Sequence, residues 1–117
     1  MTGAAGWLGS RLVETLIQGS PDWQWMPRPS PQLHVRCLVL PHEDASLIDR
    51  LGDRVEIVRG DITRPADCAR LCEGAGGAIL FHIAGIIHPR RRAEFYKVNL
   101  DGTRNVLRAS IAAGVRR

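Results

Sequence analysis

Within the first ten residues, MTGAAGWLGS, glycine recurs at every third position: Gly3, Gly6 and Gly9. An apolar pattern follows at once, with Leu8, Leu12, Val13, Leu16 and Ile17 at helical spacing until Gly19 and Pro21 end it. A glycine-rich turn that opens directly into a helix is a constrained object. The helix N-terminus carries unpaired backbone N–H groups and the positive end of the dipole, so it suits a phosphate. Gly3 permits the tight turn, Gly6 removes the Cβ that would block an approaching diphosphate, and Gly9 lets the helix lie close to the sheet. The spacing is one residue longer than the G-x-G-x-x-G dinucleotide fingerprint, and a glycine triplet alone also serves purely local turns. Such a turn needs a buried strand before it, so a strand is expected ahead of Thr2.

The rest of the chain alternates. Residues 19–32, GSPDWQWMPRPSPQ, form a Pro- and Trp-rich loop, long for a connection in an α/β unit. Trp23 and Trp25 within it are expected to fold back over the first helix. The pattern predicts strands over 33–40, 55–58 and 77–83, and helices over 44–51, 65–73 and 94–113. Val115 and Arg116 read as the lead-in to a further strand. Alternation of nearly continuous apolar strands with helices implies α/β architecture: a Rossmann-like, doubly wound parallel sheet covered on both faces. The 117 residues are expected to be one partial domain whose first strand and C-terminal half lie outside the chain.

Charge and cysteine content exclude little but point consistently. Lys and Arg total 16 against 12 Asp and Glu, with Lys97 the single lysine, giving a net charge of +4 that suits anions of many kinds. Arg90, Arg91 and Arg92 read as a solvated loop before the long helix, and no recognition-helix or stacking-aromatic pattern supports nucleic-acid binding. Cys37, Cys68 and Cys72 form no C-x-x-C; three reduced, buried thiols are expected, with no metal. No apolar run is long enough to span a bilayer and no secretory signal is apparent, so a cytoplasmic protein without a membrane partner is the expectation.

Four stretches in order, TGAAGWLG, VRGDI at 58–62, FHIAG at 81–85 and VNLDGTRNVL at 98–107, resemble the extended short-chain dehydrogenases/reductases. That group includes NAD-dependent epimerase/dehydratases and 3β-hydroxysteroid-dehydrogenase-like proteins. The resemblance implies that Gly3, Gly6, Trp7, Leu8 and Gly9 hold a cofactor diphosphate, that Asp61 and Ile62 contact its adenine, and that Ala84 and Gly85 pass close to the nicotinamide ribose. Asp61 could instead simply cap the next turn. The resemblance gives Asn99 a supporting role beside the reacting groups, and the buried amide of a mid-helix asparagine needs partners in any case. Gly102, about 1 kcal/mol worse than alanine in a helix, suggests close helix–sheet packing. His82 reads as a core histidine.

The family's proton-transfer pair, Tyr-x-x-x-Lys, is not found: Leu100 stands four residues after Tyr96, the single tyrosine, and Lys97 is its neighbour. The expectation is therefore no catalytic residue in this chain and a substrate-binding region beyond it. An acid closing the second strand would favour NAD and an arginine NADP, but Leu40 stands there, with Glu43 and Asp44 further on. The cofactor is expected to be NAD or NADP, leaning slightly to NAD. The implied function is the NAD(P)-binding portion of an oxidoreductase, epimerase or dehydratase acting on a sugar nucleotide, steroid or related alcohol or ketone. A homo-oligomer would be in keeping with it. The alternative is a non-catalytic dinucleotide-binding or redox-sensing module.

Overall fold

The computed structural model describes residues 1–20 and 29–116. The placement of Trp23 and Trp25 lies outside the described residues. Helix α1 spans Trp7–Gln18 and is followed by strand β1, Val35–Val39. One helical turn, α2 (Ser46–Asp49), leads to strand β2 (Val55–Arg59), and α3 covers Pro65–Cys72. A long helix then runs from Arg92: α4 (Arg92–Phe95), a π-helical stretch (Tyr96–Gly102) and α5 (Thr103–Ala112).

Strands β1 and β2 pair in parallel, from Val35 opposite Val55 to Val39 opposite Arg59. On the other side of β1, Leu38 N–H donates to Met1 O at 2.9 Å, and Thr2 bridges both Leu38 and His82. Ile79 in turn bridges Arg116. The lateral order is therefore β2, β1, Met1–Thr2, the extended segment around 78–83, and Arg116. This is the 3-2-1-4-5 order of a doubly wound nucleotide-binding sheet, with Met1–Thr2 in its central place.

The segment expected as a strand over 77–83 is extended and bonded on both sides but forms only isolated bridges. Its neighbours each present one or two residues: Thr2 N–H donates to Phe81 O at 3.0 Å, and Arg116 N–H to Ala78 O at 2.7 Å. A ladder needs successive bridged pairs, and among the described residues one pair is bridged on each side. The helix expected over 44–51 shrinks to one turn, and the one expected over 94–113 begins two residues earlier. Arg92 is thus helical rather than part of the loop. Glu94 in the first turn accepts from Arg90 N–H at 3.2 Å and gives the start an acid where the dipole favours one.

Both faces of the sheet are covered. Val35, Cys37 and Val39 of β1 pack with Val13 and Ile17 of α1 and Ile48 of α2. Leu38 points the opposite way, into a second cluster with Cys68, Leu71 and Cys72 of α3 and Val106 of α5. The alternation of side chains along one short strand therefore serves two separate cores. All three cysteines are buried and free, and burial pushes the Cys37 and Cys68 thiols up to about 11.

Candidate functional site

The turn from Thr2 to Gly9 leaves the sheet at the carboxyl ends of its strands. Gly3 has φ +71°, and a Cβ there would meet Ala84 N at 2.6 Å. It needs glycine both for its left-handed backbone and because the 83–84 backbone passes against it. At Gly9 a Cβ would run into Gly3 O and stand 2.8 Å from Ala4 Cα. Gly9 therefore lets the helix close upon its own turn, whereas sequence reasoning expected close approach to the sheet. Gly6 differs from both: its φ is −72° and a Cβ would meet only Gly3 O, at 3.4 Å. Nothing in the protein's own packing requires glycine at Gly6; the space beside it is open on the cavity side.

That space is a cavity of about 510 Å³ at the carboxyl edge of the sheet. Gly3, Gly6, Trp7, Leu8 and Gly9 line one side of it. Asp61 and Ile62, just after β2, line the second, and Ala84 and Gly85 the third. Helix α1 begins at its rim with no side-chain cap on Gly6 and no acid in the first turn. The first N–H groups of the helix have no intrahelical acceptor and point outward, so an anion placed there meets donors and no acid from the helix's own first turn. Trp7 is 91% exposed and stands at the mouth.

Asp61 has one oxygen engaged: Oδ1 accepts from Thr63 N–H at 2.8 Å, the turn-capping role. Its own N–H donates to Asp67 Oδ2 at 2.9 Å. Asp67, buried and paired with Arg70 at 2.9 Å, fixes the loop from beneath. Gly60 makes room for this, since a Cβ there would stand 2.8 Å from Asp67 Cβ. Ile62 is buried under the long helix, and a Cβ on Gly102 would meet Ile62 Cδ1 at 2.7 Å. Gly102 thus packs closely on the Asp61–Ile62 loop rather than on the sheet as expected. Asn105 Nδ2 donates to Ile62 O at 3.0 Å and holds the same loop.

Asn99 lies in the π-helical stretch, a feature that often marks functional positions. Its Oδ1 accepts from Ile86 N–H and its Nδ2 donates to Ile86 O, each at 2.8 Å. Ile86 and Ile87 line the cavity directly after Gly85. Asn99 itself does not line it; it holds the 85–87 segment that does.

His82 does not line the cavity either. Its Nδ1 is 2.6 Å from Thr2 Oγ1 and its Nε2 is 2.9 Å from Thr103 Oγ1. Thr103 Oγ1–H donates to Asn99 O at 2.7 Å, so it must accept from His82, and the ring proton belongs on Nε2. Nδ1 is then the acceptor for Thr2 Oγ1–H, while Thr2 Oγ1 accepts from Ala84 N–H at 3.3 Å. One directional chain joins the glycine turn, the 82–84 segment and the π-helical stretch. Burial lowers the imidazole pKa, which favours the neutral form this chain requires.

Several lining residues, including Leu38, Gly60, Val98 and Glu43, received no site role from the sequence. Gly60, directly ahead of Asp61, and Thr103, four residues after Asn99, carried signals that spacing alone could have raised. Among the described residues no group of three or more metal-ligating side chains comes together. No helix there is long and apolar enough to cross a membrane.

Comparison with known proteins follows the same lines. The family described as 3-beta hydroxysteroid dehydrogenase/isomerase matches residues 1–117. The uncharacterized protein y4nL of Sinorhizobium fredii is 43% identical over 117 residues, covering 100% of this chain and 32% of y4nL. Ceramide reductase of Caulobacter vibrioides is 36% identical over 116 residues, covering 99% of this chain and 32% of the reductase. Among solved structures, the dTDP-glucose 4,6-dehydratase DesIV of Streptomyces venezuelae, crystallised with NAD bound, superposes with a TM-score of 0.72 at 26% identity. That match covers 97% of this chain and 35% of DesIV. The chain thus spans about a third of the length of these relatives (32%, 32% and 35%).

Proposed function

The chain belongs to the 3-beta hydroxysteroid dehydrogenase/isomerase family, within the extended short-chain dehydrogenases/reductases, and from that premise we propose that it binds the dinucleotide of an NAD(P)-dependent oxidoreductase, epimerase or dehydratase. The observation that carries this reading is the meeting of three separate motifs, Gly3–Gly9, Asp61–Ile62 and Ala84–Gly85, around one cavity at the carboxyl edge of the sheet. Ligands of open α/β sheets bind at that edge.

In this reading the N–H groups at the start of α1 receive the diphosphate, and Gly6 keeps the approach free of a Cβ. The oxygen of Asp61 not engaged by Thr63 accepts from the adenine amine, and Ile62 supplies an apolar surface for the ring. Gly85, which has no Cβ to crowd Asn99 Oδ1 (3.3 Å) and is held in place through Ile86 by Asn99, presents its backbone to the nicotinamide ribose. The bound dinucleotide would supply the hydride acceptor or donor. The residues named here bind and position; none of them is assigned the proton transfer.

The substrate class that accompanies this reading is a small molecule, a sugar nucleotide, steroid or related alcohol or ketone, handled in the cytoplasm by a homo-oligomer. Calorimetric titration of the chain with NAD⁺, NADH, NADP⁺ and NADPH tests the proposal. Saturable heat with at least one of them, lost in Gly6→Val, is the expected result; no heat with any of the four contradicts it.

A further inference from the structure

The loop after β1 places one carboxylate at the adenosine end of the cavity. Leu40 occupies the position where sequence rules look for an acid or an arginine, and it carries neither charge. The chain then makes a tight turn, with Glu43 N–H donating to Leu40 O at 3.1 Å. This brings Glu43 back to the cavity wall beside Leu40, with Gly6 and Gly9 also lining that cavity. The turn is pinned from the neighbouring strand: Arg59 Nη1 donates to Leu40 O at 3.0 Å and to Glu43 O at 2.7 Å. Arg59 thus holds the backbone of Glu43 and leaves the carboxylate alone.

The other charged candidates are committed elsewhere. Asp44 accepts from both Ser46 N–H (2.9 Å) and Ser46 Oγ–H (3.1 Å) and serves the start of α2. Arg36, inside β1, donates to Glu56 at 2.7 Å and to the carbonyls of Leu71 and Glu73, at the far side of the sheet from the cavity. Glu43 is half-buried, and among the described residues it forms no ion pair.

We propose that Glu43, presented by the Arg59-pinned turn, is the residue that makes this site prefer NAD(H) to NADP(H). Its carboxylate accepts hydrogen bonds from the adenosine ribose hydroxyls and repels a 2′-phosphate at the same place. This chemistry is the one usually supplied by an acid closing the strand itself. Here it is displaced three residues along the chain, and Arg59 fixes the turn that returns it. Arg59 is a positioning residue in this scheme. The inference rests on the dinucleotide reading of the cavity.

The test is the ratio of NADP⁺ to NAD⁺ dissociation constants, measured calorimetrically on the full chain and on Glu43→Gln, Arg59→Gln and the double variant. The parent should favour NAD⁺ by about tenfold or more, the scale of one charge-assisted contact. Glu43→Gln, which keeps the shape and removes the charge, should bring the ratio to within about threefold of one, chiefly by tighter NADP⁺ binding. Arg59→Gln should move the ratio the same way, and the double variant should add nothing to Glu43→Gln. A merely structural role for Arg59 would weaken both ligands alike and leave the ratio unchanged. Preference for NADP⁺ in the parent, or a ratio unmoved by Glu43→Gln while NAD⁺ still binds, overturns the assignment of Glu43. Failure of either dinucleotide to bind the parent overturns the reading of the cavity itself.

Discussion

The side-chain amide of Asn99 and the backbone of Ile86 form a closed two-bond pair, Oδ1 to N–H and Nδ2–H to O, each at 2.8 Å. The π-helical stretch presents Asn99 toward the 85–87 backbone, and the pair satisfies both polar groups of a cavity-lining residue at once. It ties the longest helix to the part of the wall assigned to the nicotinamide ribose.

Replacing Asn99 by Asp keeps the size and removes the donor to Ile86 O. Leaving that carbonyl facing a carboxylate should cost about 1–3 kcal/mol. Urea unfolding should show a lower midpoint, and dinucleotide affinity should fall further than stability does. Unchanged unfolding and binding would mean that the pair contributes nothing.

The three glycines of the opening turn should separate on substitution by alanine. Gly3→Ala places a side chain at φ +71° and 2.6 Å from Ala84 N, costing about 1–2 kcal/mol in backbone conformation alone. Gly9→Ala drives a methyl into the Gly3–Ala4 backbone and should destabilise by at least a comparable amount, about 1–3 kcal/mol. Gly6→Ala has a nearest neighbour at 3.4 Å and should change stability by about 1 kcal/mol or less, yet weaken dinucleotide binding severalfold. Thermal melts and calorimetry on the three variants check the order.

Neutral His82 links Thr2 to Thr103, and burial holds its pKa below the ordinary 6.5. The unfolded chain therefore binds a proton at a higher pH than the folded one does. Stability from this source is fully present above about 6.5, falls as pH drops below it, and levels off beneath the folded-state pKa. Denaturation midpoints from pH 8 to pH 5 should show this decline. His82→Gln should flatten the slope relative to the parent; equal slopes would contradict the account.

Cys37, Cys68 and Cys72 are buried to 2% exposure or less, and the first two thiols are pushed up to about 11. A thiol reacts as its thiolate. Iodoacetamide at pH 8 should therefore modify the folded chain slowly and the urea-unfolded chain at ordinary rates. Rapid native labelling at Cys37 or Cys68 would contradict the packing described here.

The alternation of elements was legible in the sequence because each helix carries its own apolar period and each strand its own apolar run. The segment around 78–83 was harder, since whether it forms a ladder depends on partners such as Thr2 and Arg116 that are distant in sequence. The start of the long helix at Arg92 depended on a backward contact from Glu94, and the π-helical stretch has no period of its own to reveal it. In the cavity, the glycines and Asp61 stood out by residue type. Glu43 did not, because its place comes from a turn whose clasp, Arg59, sits on another strand. Asp67 was hidden for the same reason: its bond to Asp61 N–H runs between elements.

Backbone amide spectra of the ¹⁵N-labelled chain during titration with NAD⁺ test the central claim most directly. Saturable shifts should concentrate at Gly6, Trp7, Leu8 and Gly9, with further changes at Asp61, Ile62 and Gly85. Saturable shifts confined to the opposite edge of the sheet, or no shifts at the start of α1 at any concentration, would contradict the account.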